Sequence, residues 1–149
     1  MRNVLLFCTA AAALGCYKAE DRSASEAAAT PTISLADLAG KWTMQTMAQG
    51  SDSVLVTSEL NATATTEGWT QILPGRDPIA LHVVVAGDSV VTHAGPYESV
   101  LRPGTTVTTE NVMRLVNGML EGRTTARYSG PNVGADSVLQ LRTRGTRAP

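Results

Sequence analysis

The chain carries only two histidines, and a short turn between them decides whether they can act together. Gly87-Asp88 has the Gly-X form of a two-residue type II′ hairpin loop. Such a loop sets Ala86 opposite Ser89, Val84 opposite Val91 and, four residues from the turn, His82 opposite His93. Directly opposed side chains have Cβ atoms ~5 Å apart, near enough for two imidazoles to share one zinc or copper ion. The alternative is two unrelated histidines on a polar strand face. Asp77 and Glu98 are carboxylates that could complete such a site, but neither belongs to this ladder.

A second turn, Asn117-Gly118, is the strongest type I′ hairpin signal in the sequence. It pairs Val116 with Met119, Leu115 with Leu120, Arg114 with Glu121, Val112 with Arg123 and Thr108 with Arg127, which makes one face charged. On the opposite face stand Thr109, Asn111 and Met113 from one strand and Thr124, Ala126 and Tyr128 from the other. If that small, partly polar face points inward, it leaves room for a small apolar ligand or for water, where large branched residues would have filled the space. Trp42, Met44 and Tyr97 are further candidate contacts, because aromatic and thioether side chains suit mixed apolar ligands. The alternative is a filled core in which the small residues let two sheets approach.

Other chemistry is absent from the pattern. No Ser/His/Asp, Cys/His or paired-Glu constellation, no Gly-rich phosphate loop and no CxxC occurs, so the expectation is a protein that is not an enzyme and needs no cofactor. The loop Leu73-Pro74-Gly75-Arg76-Asp77-Pro78 is stiffened by two prolines, and its Arg-Asp pair either presents a contact or braces the loop. A formal net charge of −1 argues against a nucleic-acid partner. The charge is unevenly placed all the same, with seven Arg against three acidic residues from Val100 to Pro149. A second function follows from that asymmetry: an interaction protein whose Arg-rich face meets anionic headgroups or a partner protein.

The elements that must position these residues read as strands. From Lys41 onward Thr and Val are dense, runs are short and turn dipeptides recur, which predicts an all-β domain with strands near 41–48, 53–62, 69–73, 78–86, 89–101, 105–116, 119–129 and 136–144. Every connection is hairpin-sized. Pro103-Gly104 suits a type II turn, and Gly95-Pro96 demands a bulge or corner, since proline cannot donate to a ladder. Eight sequential antiparallel strands close most economically as an up-and-down barrel, which removes exposed edges. Ser34 to Leu38 predicts one helical turn, with Ser34 as N-cap and Gly40 as its stop, plugging an end with Leu35 and Leu38. With 4% aromatic residues the core must rest on Val, Leu, Ile and Met.

Ahead of residue 34 the sequence changes character. Arg2, the uncharged apolar run Val4 to Leu14 and the Gly15-Cys16 junction form an export signal over 1–15, too short to span a bilayer, which takes ~20 residues. Ala12-Ala13-Leu14-Gly15-Cys16 resembles the lipobox of bacterial lipoproteins, with Ala13 and Leu14 in place of the commoner Leu followed by a small residue. That resemblance implies an acylated Cys16 as mature N-terminus and a membrane anchor, against the alternative of plain secretion. Tyr17, rather than the Asp that retains such proteins at the inner membrane, points to an outer-membrane protein facing the periplasm or the surface. Residues 16–33, poor in apolar bulk, read as a disordered tether, which leaves 34–149 as the barrel domain. Within it Gly40-Lys41-Trp42 resembles the Gly-X-Trp motif opening the first strand of lipocalins. The resemblance implies a lipocalin-like barrel whose Trp42 closes the base beside an arginine of the last strand, for which Arg142 and Arg144 are candidates.

Overall fold

The computed structural model describes residues 32–131 and 133–149; the signal segment, Cys16 and the tether up to residue 31 lie outside the described residues. A short helix, α1 (Leu35–Leu38), precedes nine strands: β1 (Gly40–Ala48), β2 (Val54–Ala62), β3 (Thr70–Ile72), β4 (Ile79–Ala80), β5 (His82–Ala86), β6 (Ser89–Glu98), β7 (Thr106–Val116), β8 (Met119–Ser129) and β9 (Val138–Arg147). All belong to one antiparallel sheet in the order β4-β3-β2-β1-β9-β8-β7-β6-β5. Neighbours are consecutive in the chain except β1 and β9, whose pairing joins the first strand to the last. The two strands at the ends of that order, β4 and β5, are separated only by Leu81, so the polypeptide itself completes an up-and-down barrel.

The count of nine instead of eight has a local cause. Sequence gives one strand over 78–86, but β4 pairs only with the three-residue β3, whereas β5 pairs with β6. Between them the Leu81 N–H donates to the Trp69 carbonyl at 2.9 Å while its side chain packs on the core. The strand changes partners there. At Gly95-Pro96 the expected irregularity is present as a shift in the β6–β7 ladder between Ala94 and Tyr97. Gly95 has φ +105°, and a Cβ there would lie 2.6 Å from the Val107 carbonyl oxygen, so no other residue fits without moving β7.

Both two-residue turns have the backbone their residues call for. Gly87 sits at φ +61°, and Asn117 and Gly118 at φ +51° and +78°. The ladders run as those turns dictate: His82 opposes His93 and Leu115 opposes Leu120. Ser34 occupies the N-cap of α1, but its side chain makes no capping hydrogen bond.

Alternation along the strands sends two groups of apolar side chains inward. One, at the base, joins Leu38, Trp42, Leu60, Trp69, Val90 and Leu120; the other, at the mouth, joins Val107, Ala126, Tyr128 and Leu141. Trp42 is wholly buried and donates its indole N–H to the Leu38 carbonyl at 2.8 Å. The arginine over its ring is Arg147, at 4.4 Å, and not Arg142 or Arg144. Those two were misassigned because β9 runs three residues further than its pattern suggested, to a residue directly opposite Trp42. Ile33, at the tether's end by sequence, hydrogen-bonds the Gly87 carbonyl at 2.8 Å and packs against the base cluster.

Truncating Trp42 to Ala should cost about 3–5 kcal/mol of unfolding free energy, because the indole is core and its cavity has few ways to collapse. Urea unfolding followed by far-UV circular dichroism measures it; a loss below about 1 kcal/mol would contradict this packing.

Candidate functional site

The inward side of the barrel is not uniformly apolar. Thr92, Asn111 and Thr124 are directly opposed across β6, β7 and β8. Thr124 continues the row to Thr143 of β9 through a hydroxyl–hydroxyl bond of 2.6 Å, and Thr143 faces Thr46 of β1. On the far wall the Gln71 amide donates to the Ser58 hydroxyl at 3.1 Å. A hydrogen-bonding belt therefore lies between the base and mouth clusters.

A cavity of about 70 Å³ occupies the space inside the belt and reaches up to Ser99 and Leu101 in the β6–β7 connection. An apolar cavity of about 150 Å³ holds one benzene, so a molecule of only a few heavy atoms fits without rearrangement. Seven of the residues singled out by sequence line it: Met44, Tyr97, Thr109, Asn111, Met113, Thr124 and Tyr128. The eighth, Trp42, does not; it sits in the base cluster, with its N–H already engaged by Leu38. Sequence reasoning missed Thr92, Thr143 and Gln71: the Gly87-Asp88 turn pairs Thr92 with Val83 without saying which face of that hairpin points inward, and Thr143 and Gln71 lie outside both two-residue hairpins.

One polar atom in this belt stands apart. Asn111 Oδ1 is buried and has no hydrogen-bond partner among the described residues. An unpaired buried acceptor costs about 1–3 kcal/mol relative to a satisfied one. Burial also raises the Tyr97 phenol above its ordinary pKa, with Tyr128 adding to the rise and a Thr109 hydrogen bond and the Arg76 charge opposing it.

Arginines fasten the loops around the mouth. Arg76 donates to the Glu98 carbonyl, and its guanidinium lies 3.9 Å from the Glu98 carboxylate, so it braces its loop against β6 and not against Asp77. Arg102 lies 4.3 Å over the Tyr128 ring and donates to the Asp136 carbonyl at 2.6 Å. Arg142 donates to the Ser51 carbonyl and the Asp52 carboxylate, both at 2.7 Å. Arg114 and Arg144 face Asp88 and Glu121 at 3.4 and 3.9 Å. Among the described residues, Arg123 and Arg127 make no ion pair or side-chain hydrogen bond. The clustering of arginine in the last third thus has mainly internal partners.

On the outer wall His82 and His93 have ring centroids 6.1 Å apart, tilted by 49°. The carboxylate beside them is Glu110, 3.7 Å from His93 Nδ1 and opposite it in the β6–β7 ladder; neither Asp77 nor Glu98 takes that place. No family model, curated protein or solved structure matches this chain.

A pKa raised in the folded state means the native protein holds the Tyr97 proton more tightly than the unfolded chain does. The stability linked to it is complete below pH 10.0, the ordinary tyrosine value, and is lost as pH rises through the folded-state value. Urea midpoints compared at about pH 9 and pH 11 should therefore fall further for wild type than for Tyr97→Phe. Equal declines would show that the phenol is not held in this buried setting.

Proposed function

We propose that this protein is a lipid-anchored envelope barrel, lipocalin-like in its closed base, that binds a small and largely apolar molecule inside. The observation that carries the reading is Asn111 Oδ1, an unpaired acceptor in a cavity lined by apolar side chains such as Met44, Leu60 and Met113 together with the hydroxyls of the belt. A ligand with an apolar body and one N–H or O–H donor would meet both requirements. Acyl chains are poor candidates, given a volume of about 70 Å³. The anchor rests on the charged start, apolar run and Gly15-Cys16 junction, and the lipocalin likeness on Gly40-Lys41-Trp42 with Arg147 over the indole.

Native mass spectrometry of the gently extracted protein tests the interior site. A bound small molecule should be found with wild type and lost with Asn111→Leu. That substitution should meanwhile raise stability by about 1–2 kcal/mol, because the unpaired acceptor is gone. A ligand retained unchanged in Asn111→Leu would refute the role of that residue.

The smallness of the cavity favours a second reading, a filled-core envelope protein acting through its outside, since binding pockets commonly measure about 300–1,000 Å³. Val84 and Val112, both more than a third exposed, lie in one outer row with Val91 and the unpaired Arg123, and that row would be its contact surface. No copurified molecule with wild type would move the assignment there.

The anchor is tested separately. Cys16→Ser should shift the protein from the membrane fraction to the soluble fraction. Retention after a high-salt wash, with unchanged processing, would contradict acylation of Cys16.

A further inference from the structure

The outer wall offers a site independent of the interior. We propose that His82 and His93 form a two-imidazole site for a divalent transition metal, copper(II) above zinc(II), with Glu110 as the positioning residue that fixes the His93 tautomer. Three strands set the geometry. The β5–β6 turn places His82 directly opposite His93, and the β6–β7 ladder places Glu110 directly opposite His93 on its other side. All three are exposed on one face, above a groove that also takes in Thr125 and Arg127.

Distances allow a shared ion. A metal ~2.1 Å from a ring nitrogen lies ~3.2 Å from the ring centre, so two rings on one ion have centres no more than ~6.4 Å apart. The observed separation is 6.1 Å. Tetrahedral zinc would hold the ring centres ~5.2 Å apart and two cis positions of tetragonal copper ~4.5 Å, so the exposed rings must rotate about their side-chain torsions to share the ion. His93 Nδ1 already faces the Glu110 carboxylate at 3.7 Å, and a small rotation makes that a hydrogen bond. With its Nδ1–H held by Glu110, His93 presents Nε2 as the ligand.

Among the described residues, no three His, Cys, Asp or Glu side chains are already grouped for a metal. The site therefore has two protein ligands and is completed by water, which makes it weaker than a four-ligand structural zinc centre. Copper(II) is preferred because the stability order of divalent metals peaks there and two imidazoles with water suit its tetragonal geometry. Arg127, in the same groove and without a counterion, opposes the bound cation.

The experiment uses the full chain without an affinity tag, with Cys8 and Cys16 replaced by Ser so that thiols do not compete. Copper(II) titration by calorimetry should give one site per chain. His82→Ala and His93→Ala should each weaken it at least tenfold, and Glu110→Gln about tenfold. Arg127→Ala should tighten it. Electron paramagnetic resonance of the loaded protein should show hyperfine splitting from two imidazole nitrogens in wild type and from one in either histidine variant. These side chains are exposed, so thermal melting should confirm that every variant is folded as wild type is. Isotherms in His82→Ala and His93→Ala equal to wild type, or an unchanged resonance spectrum, would place the copper elsewhere and overturn the proposal.

Discussion

The pairing of β1 with β9, capped by the contact between Arg147 and Trp42, is what makes this meander a ring. A sheet whose neighbours are all consecutive in sequence closes only if its first and last strands find each other, across nearly the whole domain. Bringing such distant segments together has an entropic cost that must be offset locally. Here the offset is concentrated: the Arg147 guanidinium covers the indole and donates to the carbonyls of Ala39 and Asp37, the latter 110 residues away in sequence. The same indole donates to Leu38, and the Ala148 N–H reaches the Lys41 carbonyl at 2.9 Å. Helix α1, β1 and β9 are thereby tied at one point. Together with the β1–β9 ladder from Trp42–Arg147 to Ala48–Leu141, this tie covers two edges that would otherwise be open to pairing with other chains.

The opposite end is held by a different device. Beyond the packing of Leu101 and Val133 on the mouth cluster, Arg76, Arg102 and Arg142 each reach across to a backbone carbonyl of another segment. Exposed ion pairs contribute little to stability. A guanidinium aimed at a carbonyl nevertheless specifies where a loop rests, because its donors are planar and fixed in direction. The composition of the last third showed an excess of positive charge, which reads equally well as a partner-binding face. Only the positions of the acceptors distinguish loop bracing from partner binding.

What the sequence revealed depended on turn length. A two-residue loop fixes the parity of both flanking strands, so the pairings of β5 with β6 and β7 with β8 could be written residue by residue, including His82 with His93. Longer connections carry no such rule. The β6–β7 link runs through the Gly95-Pro96 shift and the β8–β9 link through residues 130–137. Glu110 beside His93, Thr143 beside Thr124 and Arg147 opposite Trp42 all depend on those links or on closure of the ring, and all three escaped the sequence reading. The strand over 78–86 was legible as extended chain, but its change of partner at Leu81 was not, because it arises from how short β3 is. Inward residues of the barrel followed from alternation, whereas the size of the space between them did not. Volume is set by how long, flexible side chains such as Met44 and Met113 settle, and no local pattern encodes that.

The hydrogen-bonding belt separates two apolar clusters that a stability-driven core would have merged. Branched apolar residues at Thr92, Asn111, Thr124 and Thr143 would fill the barrel and remove every buried polar group from it. Most of the groups present have found partners within the belt: Thr124 and Thr143 serve each other, and Gln71 serves Ser58. Such pairs roughly cancel their own desolvation, so they cost little and signify little. Asn111 is different, because its Oδ1 is buried without compensation from any described residue, at the middle of the row and against the cavity. A side chain that leaves an acceptor unpaired lowers stability where an apolar one of similar size would raise it. A donor that paired with it would have to approach from within the barrel, since the strands on either side of Asn111 already present Thr92 and Thr124 to it.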